Sequence, residues 1–311
     1  MRILRPTRSA LARAAACLRD GGLVALPTET VYGLGARADD PRAVARIYAA
    51  KGRPRFNPLI AHVPDTAAAR RIATFDTRAE LLARAFWPGP LTLVLPARGA
   101  GTCAAARAGL DSVGVRVPAH RIARALLARV GVPIAAPSAN PSGKLSPTRA
   151  LDVARALGPR VDLVLDGGPC PVGVESTIVD LTGPRARLLR PGGVPVEAIA
   201  AAIGDLAAAD GTIKAPGMLA SHYAPRARLR LDARRPEPGE AYLGFGGLPA
   251  DSAGLDLSPG GDLAEAARNL FGHLRALDRA GAARIAVAPI PSRGLGLAIR
   301  DRLARAAAPR D

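Results

Sequence analysis

Apolar runs alternate with amphipathic stretches along the first two thirds of the chain. Segments of strand length, bounded by proline, glycine or polar residues, predict buried strands: GLVAL, NPLIAHV, LTLVLP, VGVRVP, VPIAAP, VDLVLDGG, STIVDL and ARLLR. The stretches between them, such as PRAVARIYAA and RIARALLARV, repeat apolar residues at helical spacing. This alternation is typical of a mixed α/β unit, which we place at residues 1–206.

Another helix is predicted near the N-terminus. Leu11, Ala14 and Leu18 recur at helical spacing, and Gly21-Gly22 would end the helix. The segment is rich in arginine and lacks the uninterrupted apolar core of a signal peptide, so we interpret it as a structural helix. The longest apolar runs are far shorter than a membrane span, and no membrane association is expected.

The pattern changes after residue 206. Residues 207–238 carry small residues and prolines without a sustained period, and we interpret them as a linker. Beyond the linker, AYLGFGG and ARIAVAPIP predict strands, DLAEAARNLFGHLRALDRAG predicts a helix, and GLGLAIRDRLARAA predicts a loop that leads into a helix. Residues 239–311 are therefore expected to form a smaller βαβα domain, Rossmann-like in outline.

The charge of the chain narrows the list of partners only slightly. The formal net charge is +17, and all but three of the 43 basic residues are arginines. Such a field attracts nucleotides, phosphates and RNA, but a basic surface that binds nothing fits equally well. Cys17, Cys103 and Cys170 lie far apart, which predicts neither a zinc ribbon nor a disulfide framework. A reducing compartment fits this pattern, and we expect a cytoplasmic protein.

Two glycine-containing stretches resemble nucleotide-binding motifs only formally. YGLGARA matches G-x-G-x-x-A, but that turn must open a helix and needs an acidic residue about 20 positions later. Here the helix is expected after Asp39-Asp40-Pro41, and the acidic position falls in the basic KGRPR. SANPSGKLS fails as a P-loop because Leu145 stands where Ser or Thr is required.

Polar motifs offer better candidates for a site. Lys51 and Arg53 lie on a turn stiffened by Pro54 and Pro58, which suits a phosphate clamp, although a solvated basic turn would look the same. Hydroxyl and amide residues in PSANPSGKLSPT can bind phosphate or simply form turns. Arg116 stands in an otherwise apolar run and needs an anionic partner. That partner is either a substrate carboxylate or an internal Asp or Glu.

Motifs of covalent catalysis are missing from the sequence. There is no G-x-S-x-G, no H-E-x-x-H and no obvious Cys–His or paired-carboxylate set. An enzyme built from these residues would act by positioning its substrates and stabilising charge.

Seven motifs occur in this order: PTETVYGLGA, KGRPRFNPLIAH, FWPGPLTLVLP, VGVRVP, APSANPSGKLSPT, GVESTIVDL and LLRPGG. Together they resemble those of the YrdC-like threonylcarbamoyl-adenylate synthases. The resemblance runs from about Ala10 to Ile203. PGMLASHYAP and GLGLAIRDRLARAA are similar to the linker and extra C-terminal domain of the longer, two-domain branch. The resemblance implies an α/β fold, with a twisted mixed sheet that has a concave basic face, followed by a smaller Rossmann-like domain.

The resemblance also implies a reaction. L-threonine, bicarbonate and ATP give threonylcarbamoyl-adenylate and pyrophosphate, with Mg²⁺ bound mainly through the ATP phosphates rather than by protein ligands. A downstream complex then transfers the threonylcarbamoyl group to an adenosine in tRNAs that read codons beginning with A. A direct contact between this chain and tRNA is left open.

Site residues carry over from the family position by position. The resemblance assigns the reacting phosphate and ATP to Lys51, Arg53, Ser138 and Asn140. It assigns further nucleotide contacts to Asn57, Ser112, Ser146, Arg190 and Tyr223. It assigns the threonine pocket to Thr30, His62, Arg116, Ala136 and Ser176, with Arg116 on the carboxylate. PTET is then the working part of the first motif, and GLGA a structural turn after it. The linker, through Tyr223, is expected to act as a lid.

The sequence departs from the family pattern at two places. APGMLASHYAP is less basic than expected before the histidine, which leaves the charge contacts of the lid open. Ala136 stands where members can carry a hydroxyl residue, so any contact there would use the backbone.

Two other functions compete with the synthase. One is a non-catalytic RNA-binding protein of tRNA or ribosome maturation, against which the 3% aromatic content argues, because stacking platforms need aromatic rings. The other is a carbamoyl-transfer domain like that of hydrogenase-maturation proteins. Those proteins carry zinc fingers, which the three scattered cysteines of this chain exclude.

Overall fold

Two β-sheets organise the protein in the computed structural model, which describes residues 2–218, 221–250 and 253–309. The large sheet is mixed and has eleven strands in the order β1-β8-β2-β3-β7-β4-β6-β5-β9-β10-β11. Its strands are β1 (Arg2–Leu4), β2 (Val24–Leu26), β3 (Gly33–Arg37), β4 (Ile60–His62), β5 (Leu91–Pro96), β6 (Ser112–Arg116), β7 (Ile134–Ala135), β8 (Leu163–Leu165), β9 (Thr177–Asp180), β10 (Arg187–Arg190) and β11 (Ala207–Ala208).

The small sheet is parallel and has the strand order β12-β15-β13-β14. Its strands are β12 (Arg228–Arg230), β13 (Glu240–Gly244), β14 (Gly254–Asp256) and β15 (Arg284–Val287). The α-helices are α1 (Arg8–Arg19), α2 (Pro41–Lys51), α3 (Thr66–Ile72), α4 (Thr77–Phe86), α5 (Arg121–Val130), α6 (Ala150–Leu157), α7 (Val196–Ile203), α8 (Leu263–Arg279) and α9 (Leu295–Ala307), with a short 3-10 helix at Gly158–Arg160. The predicted fold class, a mixed sheet followed by a smaller α/β domain, is confirmed.

Helix α2 shows how local sequence fixes an element beside the site. Asp40 caps its N-terminus by accepting a hydrogen bond from the Arg42 amide, and Pro41 occupies the first turn. Gly52 ends the helix in the left-handed conformation, with φ of 59°. The chain therefore turns sharply after Lys51, and Arg53 can fold back towards the sheet.

GLGA is a strand, and the prediction of a structural turn is wrong. Gly33–Arg37 forms β3, which pairs antiparallel with β2 and β7. The glycines are needed for close packing, because a Cβ on Gly35 would lie 2.8 Å from Leu26 Cδ2. The turn lies earlier, where the Thr28 hydroxyl donates to the Val31 carbonyl (2.6 Å) and accepts from its amide.

The predicted apolar faces form the cores of the two domains. In α1, Leu11, Ala14 and Leu18 are buried and pack in one cluster with α5. In α8, Leu270 and Leu274 pack against α9 in a separate cluster, together with β13 and β15. No helix among the described residues is long and apolar enough to cross a membrane.

The segment interpreted as a linker contributes strands to both sheets. Residues 207–208 form β11 beside β10, and residues 228–230 form β12 beside β15. The small sheet thus begins inside the 207–238 segment. The described residues between β11 and β12 include His222 and Tyr223, which are buried against the first domain and α9.

Replacing Gly192 by alanine should destabilise the protein. A Cβ at this position would lie 2.3 Å from the Ser176 carbonyl carbon and 2.3 Å from the Thr177 amide nitrogen, so backbone would have to shift. We expect a loss of about 1–3 kcal/mol, as for overpacking elsewhere, measured as a fall in Tm. Gly183→Ala is the matched control, because a Cβ there meets nothing within 4 Å. Equal Tm values for the two variants would contradict this packing account.

Candidate active site

A small cavity lies where several strands of the large sheet meet the linker. Parallel pairing of β4 with β6 places His62 beside Arg116 at one side. The cavity has a volume of about 40 Å³, which is room for a few water molecules. It is lined by Thr30, Val31, Arg53, Ile60, His62, Arg116, Ala136, Pro137, Ser138, Glu175, Ser176, Arg190, Pro216, Gly217, His222 and Tyr223.

Most of the residues predicted for a site meet at this cavity. The lining includes the predicted residues Thr30, Arg53, His62, Arg116, Ala136, Ser138, Ser176, Arg190 and Tyr223. Lys51, Asn57, Asn140 and Ser146 lie behind it, each hydrogen-bonded to a lining residue. Ser112 lies apart, at the start of β6 beside Pro96, and its assignment to ATP stays a prediction.

Arg116 and Glu29 form a buried ion pair on one side of the cavity. Arg116 Nη2 lies 2.6 Å from Glu29 Oε1, and its Nη1 donates to Thr30 Oγ1 at 2.9 Å. The sequence left the partner of Arg116 open between a substrate and an internal carboxylate, and the structure shows an internal one. Burial raises the pKa of Glu29, but the charge and hydrogen bond of Arg116 outweigh it, so the pKa is lowered and the pair stays ionised.

His62 is a neutral imidazole at this site. Its Nδ1 lies 3.2 Å from the Ile60 carbonyl oxygen, which can only accept, so Nδ1 carries the proton and Nε2 is the acceptor. Burial, aided by the nearby charge of Arg116, lowers the pKa of His62 to about 3. His62 can therefore accept a hydrogen bond from a substrate near neutral pH but cannot supply a positive charge.

Lys51 ties together two motifs that are far apart in the sequence. Its Nζ donates to the carbonyl oxygens of Ser138 (2.6 Å) and Asn140 (2.5 Å). Burial and the neighbouring charge of Arg53 hold the pKa of Lys51 well below its ordinary value, against the opposing effect of Glu175. Lys51 thus fixes the 138–140 loop at the cavity wall, a role that sequence reasoning did not foresee beside phosphate binding.

Arg53 is held in a fixed orientation by the chain that follows it. Its Nη2 donates to Asn57 Oδ1 (2.6 Å) and to the Pro58 carbonyl (2.9 Å), and Nε donates to the Asn57 carbonyl. Burial lowers the pKa of Arg53 to about 10, so it remains charged at neutral pH. Its Nη1 takes no part in these hydrogen bonds and is left for a ligand.

Arg190 and Ser176 are in direct contact in the cavity wall. Arg190 Nη2 donates to the carbonyl (2.9 Å) and the hydroxyl (3.2 Å) of Ser176, whose Oγ also lies 2.7 Å from Thr92 Oγ1. Arg190 Nη1 donates to the Pro216 carbonyl in the linker at 3.2 Å. Residues predicted for nucleotide and for threonine binding are thus in direct contact.

Several buried polar atoms around the cavity have no hydrogen-bond partner among the described residues. They include Asn57 Nδ2, Asn140 Oδ1 and His222 Nδ1. The amide of Asn140 is oriented by its Nδ2, which donates to the carbonyls of Pro141 and Lys144. Unpaired buried polar groups are costly, and they concentrate where a ligand or water completes the site.

Sequence reasoning missed three titratable residues at or beside the cavity. Glu29 lies inside the PTET motif, Glu175 lies inside GVESTIVD, and His222 precedes Tyr223. The two carboxylates were not assigned because a site for anionic phosphates gives no reason for acids. Their arginine partners, Arg116 and Arg302, lie 87 and 127 positions away in the chain, where spacing gives no signal.

Two family models match the chain in succession. The Sua5_yciO_yrdC model, described as telomere recombination, matches residues 16–192, and that of the threonylcarbamoyl-AMP synthase C-terminal domain matches residues 194–308. Threonylcarbamoyl-AMP synthases of Pyrococcus abyssi and Bacillus subtilis are 44% and 41% identical over 94% and 96% of this chain, with 92% of each relative covered. The chain belongs to the threonylcarbamoyl-AMP synthase family.

A solved structure of the threonylcarbamoyl-AMP synthase family has the same architecture. The crystal structure of P. abyssi Sua5 complexed with L-threonine matches with a TM-score of 0.92 and 42% identity, over 99% of this chain and 98% of that chain. The resemblance drawn from seven motifs, and the two-domain branch within it, are confirmed. As a member of this family the chain is an enzyme of the adenylyl-transferring kind.

The buried His62 should make the protein less stable in mild acid. Between pH 6.5 and about 3 the unfolded chain takes up a proton on this imidazole and the folded protein does not, so stability falls as pH falls. The expected loss from His62 at pH 5.5 is about 1.4 kcal/mol. His62→Gln should therefore lose less Tm than the unmutated protein between pH 7.5 and 5.5. His273→Gln, at a half-buried imidazole, is the control, and equal losses for both variants would contradict the account.

Proposed function

We propose that the protein forms threonylcarbamoyl-adenylate from L-threonine, bicarbonate and ATP, with release of pyrophosphate. The observation that carries this proposal is that Arg116 and Thr30 line the same cavity as Arg53, Ser138 and Arg190. One side suits an amino acid and the other suits phosphates, so both substrates can meet there.

The threonine side is built from Arg116, Thr30 and His62. Arg116 is held by Glu29 and Thr30 through single bonds to its terminal nitrogens, which leaves N–H groups for a carboxylate. The neutral His62 and the hydroxyl groups of Thr30 and Ser176 suit the hydroxyl and amine of threonine. Ala136 contributes backbone and a small side chain, which keeps this part of the cavity open.

What the reaction needs from the protein is mainly alignment of the substrates rather than a reacting side chain. The threonine amine and bicarbonate give a carbamate and water. One oxygen of the carbamate then attacks the α-phosphorus of ATP as pyrophosphate leaves. Fixed cations at the phosphates stabilise the charge that moves to the leaving group. Arg53 and Arg190 are held for this role by protein carbonyls, and an approaching phosphate would favour the charged form of Lys51.

Mg²⁺ would neutralise part of the triphosphate charge when it binds with ATP. Among the described residues, no group of three His, Cys, Asp or Glu side chains is placed to hold a metal ion. Asn140 Oδ1, which has no partner, is an oxygen ligand of the kind that Mg²⁺ accepts. Asn140 would therefore add to a coordination shell supplied mainly by phosphates and water.

The linker acts as a lid in this proposal. Tyr223 and His222 fill one side of the cavity, and Ala224 donates its amide to the Gly143 carbonyl at 2.8 Å. A volume of about 40 Å³ is far below the 300 Å³ or more of ordinary small-molecule pockets. ATP therefore needs more room than the cavity offers. We expect movement of the linker to supply it, and the return of the linker would exclude water from a reactive anhydride.

The product defines what must follow in the cell. A carbamoyl–phosphate anhydride is activated for transfer to a nucleophile, so a downstream threonylcarbamoyl-transfer complex is the expected partner. The expected acceptor is tRNA, in the cytoplasm. Whether this strongly basic chain also contacts tRNA itself is part of the same proposal, and the charge of +17 supports it.

Pyrophosphate release should require threonine and bicarbonate together. Lys51→Ala should lower the rate at least about tenfold, because the 138–140 loop loses its two hydrogen bonds from Lys51 Nζ and the phosphates lose a cation. The measurement is pyrophosphate release with mass detection of the adenylate. Lys144→Ala is the control, since this lysine is exposed on the same loop.

Two outcomes would go against the proposal. ATP left untouched by the unmutated protein under all conditions would favour the non-catalytic RNA-binding function. Equal rates for the Lys51 and Lys144 variants would refute the role assigned to Lys51 in holding the 138–140 loop.

A further inference from the structure

One fully buried arginine of the C-terminal domain contacts a residue that lines the cavity. Arg302 lies on α9 and has no exposed side-chain surface. Its Nε lies 2.8 Å from Glu175 Oε2, and its Nη1 donates to the Pro191 carbonyl and to Asp301 Oδ2, both at 2.7 Å. Glu175 lines the cavity and Arg302 does not, so Arg302 acts on the cavity through its ion pair with Glu175.

Glu175 needs a strong cationic partner if ATP is to bind beside it. Its other oxygen accepts from the Ser146 hydroxyl, and Ser176 follows it in the cavity wall. Burial raises the pKa of Glu175, but the charges of Arg302 and Arg190 outweigh burial, and the carboxylate stays ionised. Without Arg302, this buried negative charge would repel the triphosphate at low dielectric.

The same helix also holds the lid. The guanidinium carbon of Arg302 lies 5.2 Å from the centre of the Tyr223 ring, within cation–π range. One turn further along α9, the Arg305 carbonyl accepts a hydrogen bond from the His222 amide at 3.1 Å. Two successive lid residues therefore rest on α9, at the point where Arg302 leaves the helix for Glu175.

One other contact between the domains, the ion pair of Arg279 with Asp152, lacks this connection. Arg279 of α8 lies 3.5 Å from Asp152 of α6, and its side chain is 46% exposed. Neither residue lines the cavity. If Arg302 served only to join the domains, its loss and the loss of Arg279 would affect substrate binding alike.

We propose that Arg302 is a positioning residue for ATP: it neutralises and orients Glu175 and seats Tyr223, so that the closed linker fits the nucleotide. The C-terminal domain thus completes the nucleotide side of the site. The threonine side, built on Arg116 and Thr30, has no contact with Arg302 among the described residues. This inference rests on the proposed function, because turnover of ATP is one of its readouts.

The test compares four proteins: the unmutated chain, Arg302→Met, Glu175→Gln with Arg302→Met, and Arg279→Met as the matched control. Arg302→Met should raise the KM for ATP about tenfold or more, because an unpaired buried charge remains, and leave the KM for threonine within about twofold. The double variant has no charge to compensate and should return the KM for ATP to within about threefold of the unmutated value. Arg279→Met should match the unmutated protein in both.

Two results would overturn the proposal. One is an Arg302→Met protein, folded by circular dichroism, whose KM for ATP is unchanged. The other is a double variant as impaired as Arg302→Met, since Arg302 would then not act through Glu175. If Arg302→Met does not fold, Arg302→Lys replaces it: lysine keeps the charge but not the fork of donors, so we expect a rise of about fivefold, and no rise would overturn the proposal.

A binding measurement separates this inference from the proposed function. Equilibrium titration with a fluorescent ATP analogue needs no turnover. If the unmutated chain forms no adenylate but binds the analogue, the proposed function fails. The role of Arg302 is then decided by the affinities of the variants for the analogue, which should follow the order expected for the KM for ATP. If the unmutated chain does not bind the analogue at all, the role of Arg302 is refuted as well.

Discussion

Burying positive charge is the constraint on which this site depends. Five basic side chains are almost completely buried around or behind one small cavity: Lys51, Arg53, Arg116, Arg190 and Arg302. Removing a charge from water is costly unless hydrogen bonds and opposite charges replace the water. Here two carboxylates, Glu29 and Glu175, and a set of backbone carbonyls do so. Cations still outnumber carboxylates, and the excess suits anionic substrates.

Backbone carbonyls explain why so much of the fold is needed to build so small a site. Lys51 at the end of α2 binds carbonyls of the 138–140 loop, and Arg190 at the end of β10 binds those of Ser176 and Pro216. A carbonyl has the right position only if its whole loop does. Distant segments are thereby locked together, and the cations are oriented before any substrate arrives, which is the condition for electrostatic catalysis.

The sequence predicted elements well where local chemistry determines them. The cap at Asp40, the breaks at glycine and the apolar runs specified α2, α8 and most strands of the large sheet. GLGA was misjudged because glycine favours turns locally, whereas here the packing of Gly35 against Leu26 and Ile134 required it in a strand. The short strands β11 and β12 have no apolar pattern of their own and exist only through pairing.

Candidate site residues were predictable as far as a family pattern covers them, and their partners were not. Arg53 and Ser138 could be assigned from their motifs. Glu175 could not, because its role follows from Arg302 in another domain. Ion pairs of this kind depend on the folded arrangement, and one sequence without its structure contains no signal for them.

Under the proposed function, the two-domain design also explains how so small a cavity would serve a large substrate. The lid residues His222 and Tyr223 rest partly on α9, so the second domain provides a surface on which the linker can close. Closure protects an anhydride that water would destroy. The central claim is that this cavity brings the carbamate of threonine to the α-phosphorus of ATP.

The most direct measurement follows the oxygen atom that joins the carbamate carbon to the α-phosphorus. The reaction is run with ¹⁸O-labelled bicarbonate, the adenylate is cleaved at its carbonyl carbon by a nitrogen nucleophile, and AMP and pyrophosphate are weighed by mass spectrometry. The account predicts one heavy oxygen in AMP and none in pyrophosphate. Heavy oxygen in phosphate or pyrophosphate, with unlabelled AMP, would show attack at another phosphorus and contradict it.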